Sequence, residues 1–321
     1  MGLYTAGQRR KWPLRWRKYY CSMALAHPEY LITAEWLAAH LDDPAVVVLD
    51  VTARLTGRLD NEPGRQVWAE AHIEDSQFFD VASAYGALSD PAAALPWTWP
   101  GPDRFAATMA DLGIGANTRV VIVGRTPRPG VDSGTMWCTR AWWTMHHFGV
   151  DCAILAGGIE GWQAEGRPLS AAPTLPRPAI GPPLQLASDW ERGRADRHEV
   201  LAAIDDGAAG ACVVDVLPAS SFAGDDASFG RPGHITGAIN IPGTGLIAQE
   251  TCGFVDPATM DSVLAEALDQ PQVITYCGGA IAATVNAFCL TLLGHDHVSV
   301  YDGSLMEWAA DAALPMTTLP T

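Results

Sequence analysis

Continuous runs of aliphatic residues recur along the chain, at Val46 to Asp50, Val120 to Val123, Cys212 to Asp215, Val273 to Tyr276 and Val298 to Tyr301. Because they are unbroken rather than alternating, they predict strands buried on both faces. Helical spacing fills the intervals. After Cys277, Ile281, Val285, Phe288 and Leu292 fall at i, i+4, i+7 and i+11 and form one apolar stripe, with Gly294 placed to end the helix. Strands that alternate with helices predict an α/β architecture, a mainly parallel sheet flanked by helices.

The pattern occurs twice. An apolar run closing on an acid, at Asp50 and again at Asp215, is followed by His72-Ile73 and His234-Ile235, and then by the strands ending at Val123 and Tyr276. Ala156-Gly157-Gly158-Ile159-Glu160-Gly161-Trp162 and Asp302-Gly303-Ser304-Leu305-Met306-Glu307-Trp308 complete the two series. Four landmarks in one order mark a diverged duplication. Their separation falls from 165 residues at Asp50 and Asp215 to 146 at Trp162 and Trp308, so the first copy has the longer loops. Six prolines between Pro168 and Gln185 exclude a regular helix or central strand there and predict a semi-rigid linker. The expected organisation is a basic, disordered extension over 1–23, a first domain over 24–167, the linker over 168–185 and a second domain over 186–321.

Charge narrows the function. Six basic residues (Arg9, Arg10, Lys11, Arg15, Arg17, Lys18) precede Met23 with no acid among them, which leaves 14 basic residues against 36 acidic ones for the rest of the chain. Such a body repels nucleic acid and anionic membranes, so neither is expected as a partner. Charges, Pro or Gly interrupt every hydrophobic run before the ~18 residues a membrane span needs. The basic extension lacks the apolar core of a secretory signal, and the break in composition at Met23 suggests a disordered tail or a start codon assigned too early. A cytoplasmic location is expected, and the oligomeric state is open.

Seven cysteines, an odd number without a CxxC pair, do not make a disulfide scaffold. Most sit in apolar stretches as small core residues, Cys138 among Trp137, Trp142 and Trp143 included. Cys277 differs. Val273 to Ala282 reads as a strand, a thiol, a small-residue turn and the start of a helix. Strand ends of open α/β sheets form ligand crevices. Gly278 and Gly279 would let the backbone curl so that N–H groups converge as a nest, and the helix N-terminus adds about half a positive charge. Those dipoles favour thiolate over thiol and point to a nucleophile, although a tight turn alone would explain the glycines.

These residues resemble the tandem-domain rhodanese family of thiosulfate and 3-mercaptopyruvate sulfurtransferases over roughly residues 24–321. The resemblance rests on Ala71-His72-Ile73 through Phe78-Phe79-Asp80, Leu112-Gly113-Ile114-Gly115, Gly233-His234-Ile235-Thr236-Gly237-Ala238-Ile239-Asn240-Ile241-Pro242, Tyr276-Cys277-Gly278-Gly279 and Tyr301-Asp302-Gly303-Ser304 through Glu307-Trp308. It implies two rhodanese-like domains, the first silent because Gly124 occupies the place of Cys277. It also implies ping-pong transfer of a sulfane sulfur from a small anionic donor, through a Cys277 persulfide, to cyanide or a thiol, without metal or organic cofactor.

The chain departs from the family in the substrate-binding set expected around Cys277: Gly278, Gly279, Ala280, Ile281, Ala282, Ser221 and Arg231. The thiosulfate enzymes place basic residues after the Cys, and the mercaptopyruvate enzymes Cys-Gly-Ser-Gly-Val-Thr; this chain has neither. Ser221 stands where the family carries a substrate-carboxylate Arg, and Arg231 is the neighbouring cation that could replace it. A non-catalytic sulfur carrier or binding module is the alternative. Cysteine phosphatase chemistry needs an Arg six residues after the Cys, and position 283 is Ala. His72 and His234 read as packing residues, while His146-His147 and His295-Asp296-His297 lack a third ligand at metal-binding spacing.

Overall fold

A computed structural model describes residues 25–57, 59–126, 134–174, 178, 181–205, 210–248 and 252–319. The basic extension lies outside the described residues.

The first half runs β1 (Leu31–Ile32), α1 (Ala34–Ala38), β2 (Val46–Asp50), α2 (Glu62–Glu70), β3 (Gln77–Phe78), α3 (Pro102–Asp111), β4 (Arg119–Val123), α4 (Gly134–His147), β5 (Asp151–Leu155) and α5 (Gly158–Ala164). Its sheet has the order β1-β5-β4-β2-β3, with every neighbouring pair parallel. The second half runs β6 (Arg194–Ala195), α6 (Arg197–Asp205), β7 (Cys212–Asp215), α7 (Ala219–Ala223), β8 (His234–Ile235), β9 (Ile239–Asn240), β10 (Ile247–Ala248), β11 (Gly253–Phe254), α8 (Pro257–Leu268), β12 (Val273–Tyr276), α9 (Ala283–Leu292), β13 (Val298–Tyr301), α10 (Ser304–Trp308) and β14 (Met316–Thr317). Its sheet, β6-β13-β12-β7-β9, is again parallel throughout and repeats the first order strand for strand.

The unbroken aliphatic runs are central strands: all five residues of β2 and of β4, and all four of β12 and of β13, are buried. Local chemistry sets the helix starts. Thr33 caps α1 through the Trp36 amide. Asp256 caps α8 by accepting from the amides of Ala258 and Thr259, with Pro257 in the first turn where its missing N–H costs nothing.

The expected single stripe after Cys277 is too narrow. α9 begins at Ala283, after Ile281, and is buried on nearly every side. The cause is tertiary: α4 of the first half packs along it, with the hydroxyls of Thr139 and Thr284 2.8 Å apart and the rings of Trp142 and Phe288 at 4.7 Å. One apolar core therefore runs from the first sheet through these two helices into the second. The described ends of the proline-rich segment lie against the first half: Ser170 exchanges backbone hydrogen bonds with His72 at 2.7 and 2.8 Å, and the Ala116 amide donates to Pro182 at 3.0 Å.

Candidate active site

Cys277 follows Tyr276 at the C-terminal end of β12, the middle strand of its sheet. The loop from Gly278 to Ala282 then enters α9. The residue is 3% exposed, so the thiol lies at the base of the site under cover.

The curl of this loop has another source than its glycines. Ala280 takes the left-handed conformation, at φ 60°, a region that costs a residue with a Cβ about 1–2 kcal/mol. Gly278 and Gly279 serve close approach. A Cβ on Gly278 would run into the ring of Phe229, and one on Gly279 would lie 3.2 Å from the Trp97 ring and 3.3 Å from the sulfur of Met306. Trp97 comes from the first half, so the two halves together cover the loop.

Ser304 holds the curl in place. Its hydroxyl accepts from the amides of Cys277 at 3.3 Å and Ala280 at 3.0 Å and donates to the Tyr301 carbonyl at 2.8 Å. The Leu305 and Met306 amides donate to the carbonyls of Cys277 and Gly278 at 3.0 and 2.9 Å. Ser304 itself has φ 48°. The amides of Gly278, Gly279, Ile281 and Ala282 have no protein acceptor among the described residues, so four N–H donors follow the thiol at the start of a ten-residue helix.

The remaining candidates part company. Ser221, in α7, is 9% exposed and sits beside Asp226, whose carboxyl is held low by hydrogen bonds from the Ser228 amide and hydroxyl, with Ser221 adding to the effect. Arg231 is employed elsewhere. Its guanidinium donates to the carbonyls of Trp308, Ala309, Asp311 and Leu314 at 2.8–3.0 Å, binding the C-terminal segment to its domain. Four of its five N–H donors are occupied, so it is a strut, not the free cation expected from sequence.

Both histidines pack as read: His72 Nδ1 lies 2.8 Å from the Trp68 carbonyl and His234 Nδ1 2.7 Å from that of Phe222, each ring stacked on the neighbouring aromatic. Burial pushes the Asp215 carboxyl up, against the Leu217 amide that donates to it at 2.8 Å.

In the first copy the same place is filled. The Ile159 amide donates to Gly124 at 3.0 Å, as Leu305 does to Cys277. A Cβ on Gly124 would lie 2.7 Å from the sulfur of Cys138 and 3.6 Å from that of Cys252, which comes from the second half. Gly158, at φ 56°, stands where the second copy has Ser304, and a Cβ there would strike Cys252 and the Gly124 carbonyl.

Sequence reasoning passed over Ser304, Trp97, Phe229 and Met306. The readable signal was the Gly158 to Ser304 difference inside otherwise matching segments. A five-strand parallel sheet repeated in one order, with one copy keeping a thiol at the end of its central strand, defines a duplicated α/β fold with one candidate thiol site. The profile of the Rhodanese-like domain matches residues 33–165 and 196–311, and the chain belongs to that family.

The chain is 30% identical over 296 residues to the 3-mercaptopyruvate sulfurtransferase of Escherichia coli strain K12, covering 89% of this chain and 97% of the relative. It is 29% identical over 314 residues to the sulfur carrier protein TtuD of Thermus thermophilus, covering 92% and 98%. The crystal structure of SseA from Escherichia coli superimposes with a TM-score of 0.71 at 28% identity, over 86% of this chain and 98% of that one. The protein is an enzyme of the sulfurtransferase class.

Proposed function

We propose that the protein moves a sulfane sulfur from a small anionic donor, 3-mercaptopyruvate or thiosulfate, through a persulfide on Cys277 to cyanide or a thiol. The observation that carries this reading is Cys277 at the mouth of a loop with four backbone N–H groups unpartnered among the described residues. A Cys277 thiolate attacks the outer sulfur of the donor. With thiosulfate the donor S–S bond breaks and its electron pair leaves with sulfite; with mercaptopyruvate the C–S bond breaks and the carbon takes a proton to give pyruvate. Cyanide or a thiolate then attacks the outer sulfur of the persulfide, and the Cys277 thiolate departs.

The chain's own groups supply electrostatics and position. Loop amides and the positive end of α9 stabilise thiolate and persulfide alike. Ser304 fixes the loop so that its amides do not reorganise during transfer. With Ser221 in place of an arginine and Arg231 occupied, donor recognition falls to backbone donors, which favours weak donor binding. A reducing compartment such as the cytoplasm would keep the thiol available.

A sulfur-carrier role is the second reading, supported by the uncharged Ser221 position. Turnover assays with both donors separate the two. Repeated turnover with cyanide, abolished by Cys277→Ser, supports the enzyme; one sulfur taken up per chain without turnover supports the carrier.

A further inference from the structure

A buried cation reaches the nucleophile's loop from the silent half of the chain. Arg140, on α4, is 1% exposed. Its guanidinium donates to the carbonyl of Trp97, extends to the carbonyl of Ala280 at 3.5 Å, and lies 3.8 Å from the carboxylate of Asp302. Asp302 is held in turn by Arg194 Nε at 3.0 Å and by the Trp99 amide at 3.1 Å. Arg140 thus bridges three pieces of the site: the Trp97 segment that covers Gly279, the left-handed Ala280 that shapes the loop, and the acid two residues before Ser304.

We propose that Arg140 is a positioning residue for sulfur transfer, the cation by which the first domain holds the Ala280 carbonyl in place and offsets the negative charge of the Cys277 thiolate and persulfide. The inference rests on the Cys277 reading above. Burial pushes the Arg140 pKa down, Asp302 and Cys277 oppose that push, and Arg194 adds to it. The other charged groups facing Arg140 are therefore Asp302 and Arg194, while Tyr276, next to the thiol in sequence, engages its hydroxyl with the Ile235 amide and Asp215 and is pushed up by burial. Arg140 and Arg194 share the one carboxylate of Asp302, and Cys277 acts on Arg140 in the same direction as Asp302 does. Arg suits this place because its planar fork fixes its donor directions toward the Trp97 and Ala280 carbonyls while its charge faces Asp302. The silent domain thereby contributes to the site, since without Arg140 the catalytic half has no buried cation at its loop among the described residues.

The test is the pH profile of Cys277 alkylation by iodoacetamide, read at the Cys277 peptide by mass spectrometry, in wild type, Arg140→Gln and Arg140→Lys, alongside cyanide turnover. Arg140→Gln is expected to move the profile to higher pH by about one unit or more and to cut kcat about tenfold, with donor KM changed by less than about threefold. Arg140→Lys keeps the charge and should move the profile by less than half as much, while its kcat still falls because the fork is lost. A folded Arg140→Gln protein with an unmoved profile overturns the inference. If Arg140→Gln does not fold, an Arg140→Lys protein with wild-type kcat overturns it equally. The two readings fail separately: a wild type that accepts sulfur on Cys277 beside an unmoved Arg140→Gln profile removes only Arg140. A wild type that accepts none beside a moved profile removes the persulfide and leaves the electrostatic role standing.

Discussion

The hydroxyl of Ser304 accepts the amide hydrogen of Cys277 at 3.3 Å, so the backbone at the thiol is tied to a side chain 27 residues further on. Removing that hydroxyl leaves the buried amides of Cys277 and Ala280 unpaired, at a cost of about 1–3 kcal/mol. Ser304→Ala also keeps the left-handed backbone of position 304, which Ser304→Gly relaxes. Thermal melts should therefore rank wild type above Ser304→Gly above Ser304→Ala. Turnover should fall about tenfold or more in both, because loop misplacement disturbs reaction geometry. An alanine variant with wild-type stability and rate would remove Ser304 from the account.

Phe229 lies on an otherwise exposed stretch and covers Gly278. Phe229→Ala is expected to speed alkylation of Cys277 at fixed pH, since it opens the route to a residue only 3% exposed. Gly278→Ala overpacks the same contact and should cost about 1–3 kcal/mol, much of it recovered in the Gly278→Ala/Phe229→Ala double variant because the clash partner is gone. Additive losses in the denaturation midpoints would contradict the close approach.

The sheets were legible because their strands are buried on both faces and so appear as unbroken aliphatic runs; the bounds of β2, β7, β12 and β13 coincide with those runs. The duplication was legible because equivalent turns need equivalent residues, as at Asp50 and Asp215, whose carboxylates accept the amides of Thr52 and Leu217. The cover of Cys277 was not. Trp97 and Arg140 reach it across the domain boundary, and long-range packing leaves no local periodicity. Arg231 misled because adjacency in sequence says nothing about which carbonyls a guanidinium will find.

The first copy lacks a thiol at Gly124 and also lacks room for one. A Cβ at Gly124 meets the sulfur of Cys138 at 2.7 Å, inside contact distance. Gly124→Cys in a Cys277→Ser background is expected to restore no sulfur transfer and to lower stability by about 1–3 kcal/mol through overpacking. Recovered turnover would show that the first loop retains a working site.

His147 gives a pH-dependent term. Burial lowers its pKa to about 4, against the Trp143 carbonyl that bonds its ring at 2.8 Å. The unfolded chain takes up this proton near pH 6.5, so between about 6.5 and about 4 the unfolded state binds more protons, and stability is lost as pH falls, by up to about 3 kcal/mol. Asp50 and Asp215, raised by burial, act in the opposite sense. The comparison is therefore between wild type and His147→Gln: urea denaturation near pH 7 and near pH 5 should show a smaller acid loss in the variant. Equal losses would place the titration elsewhere.

The central claim is that Cys277 carries the travelling sulfur, and intact-mass spectrometry of the protein after exposure to donor tests it most directly. A gain of one sulfur atom in wild type, absent in Cys277→Ser and reversed by cyanide, is the result this account predicts. No gain with either donor, or a gain that survives in Cys277→Ser, would contradict it.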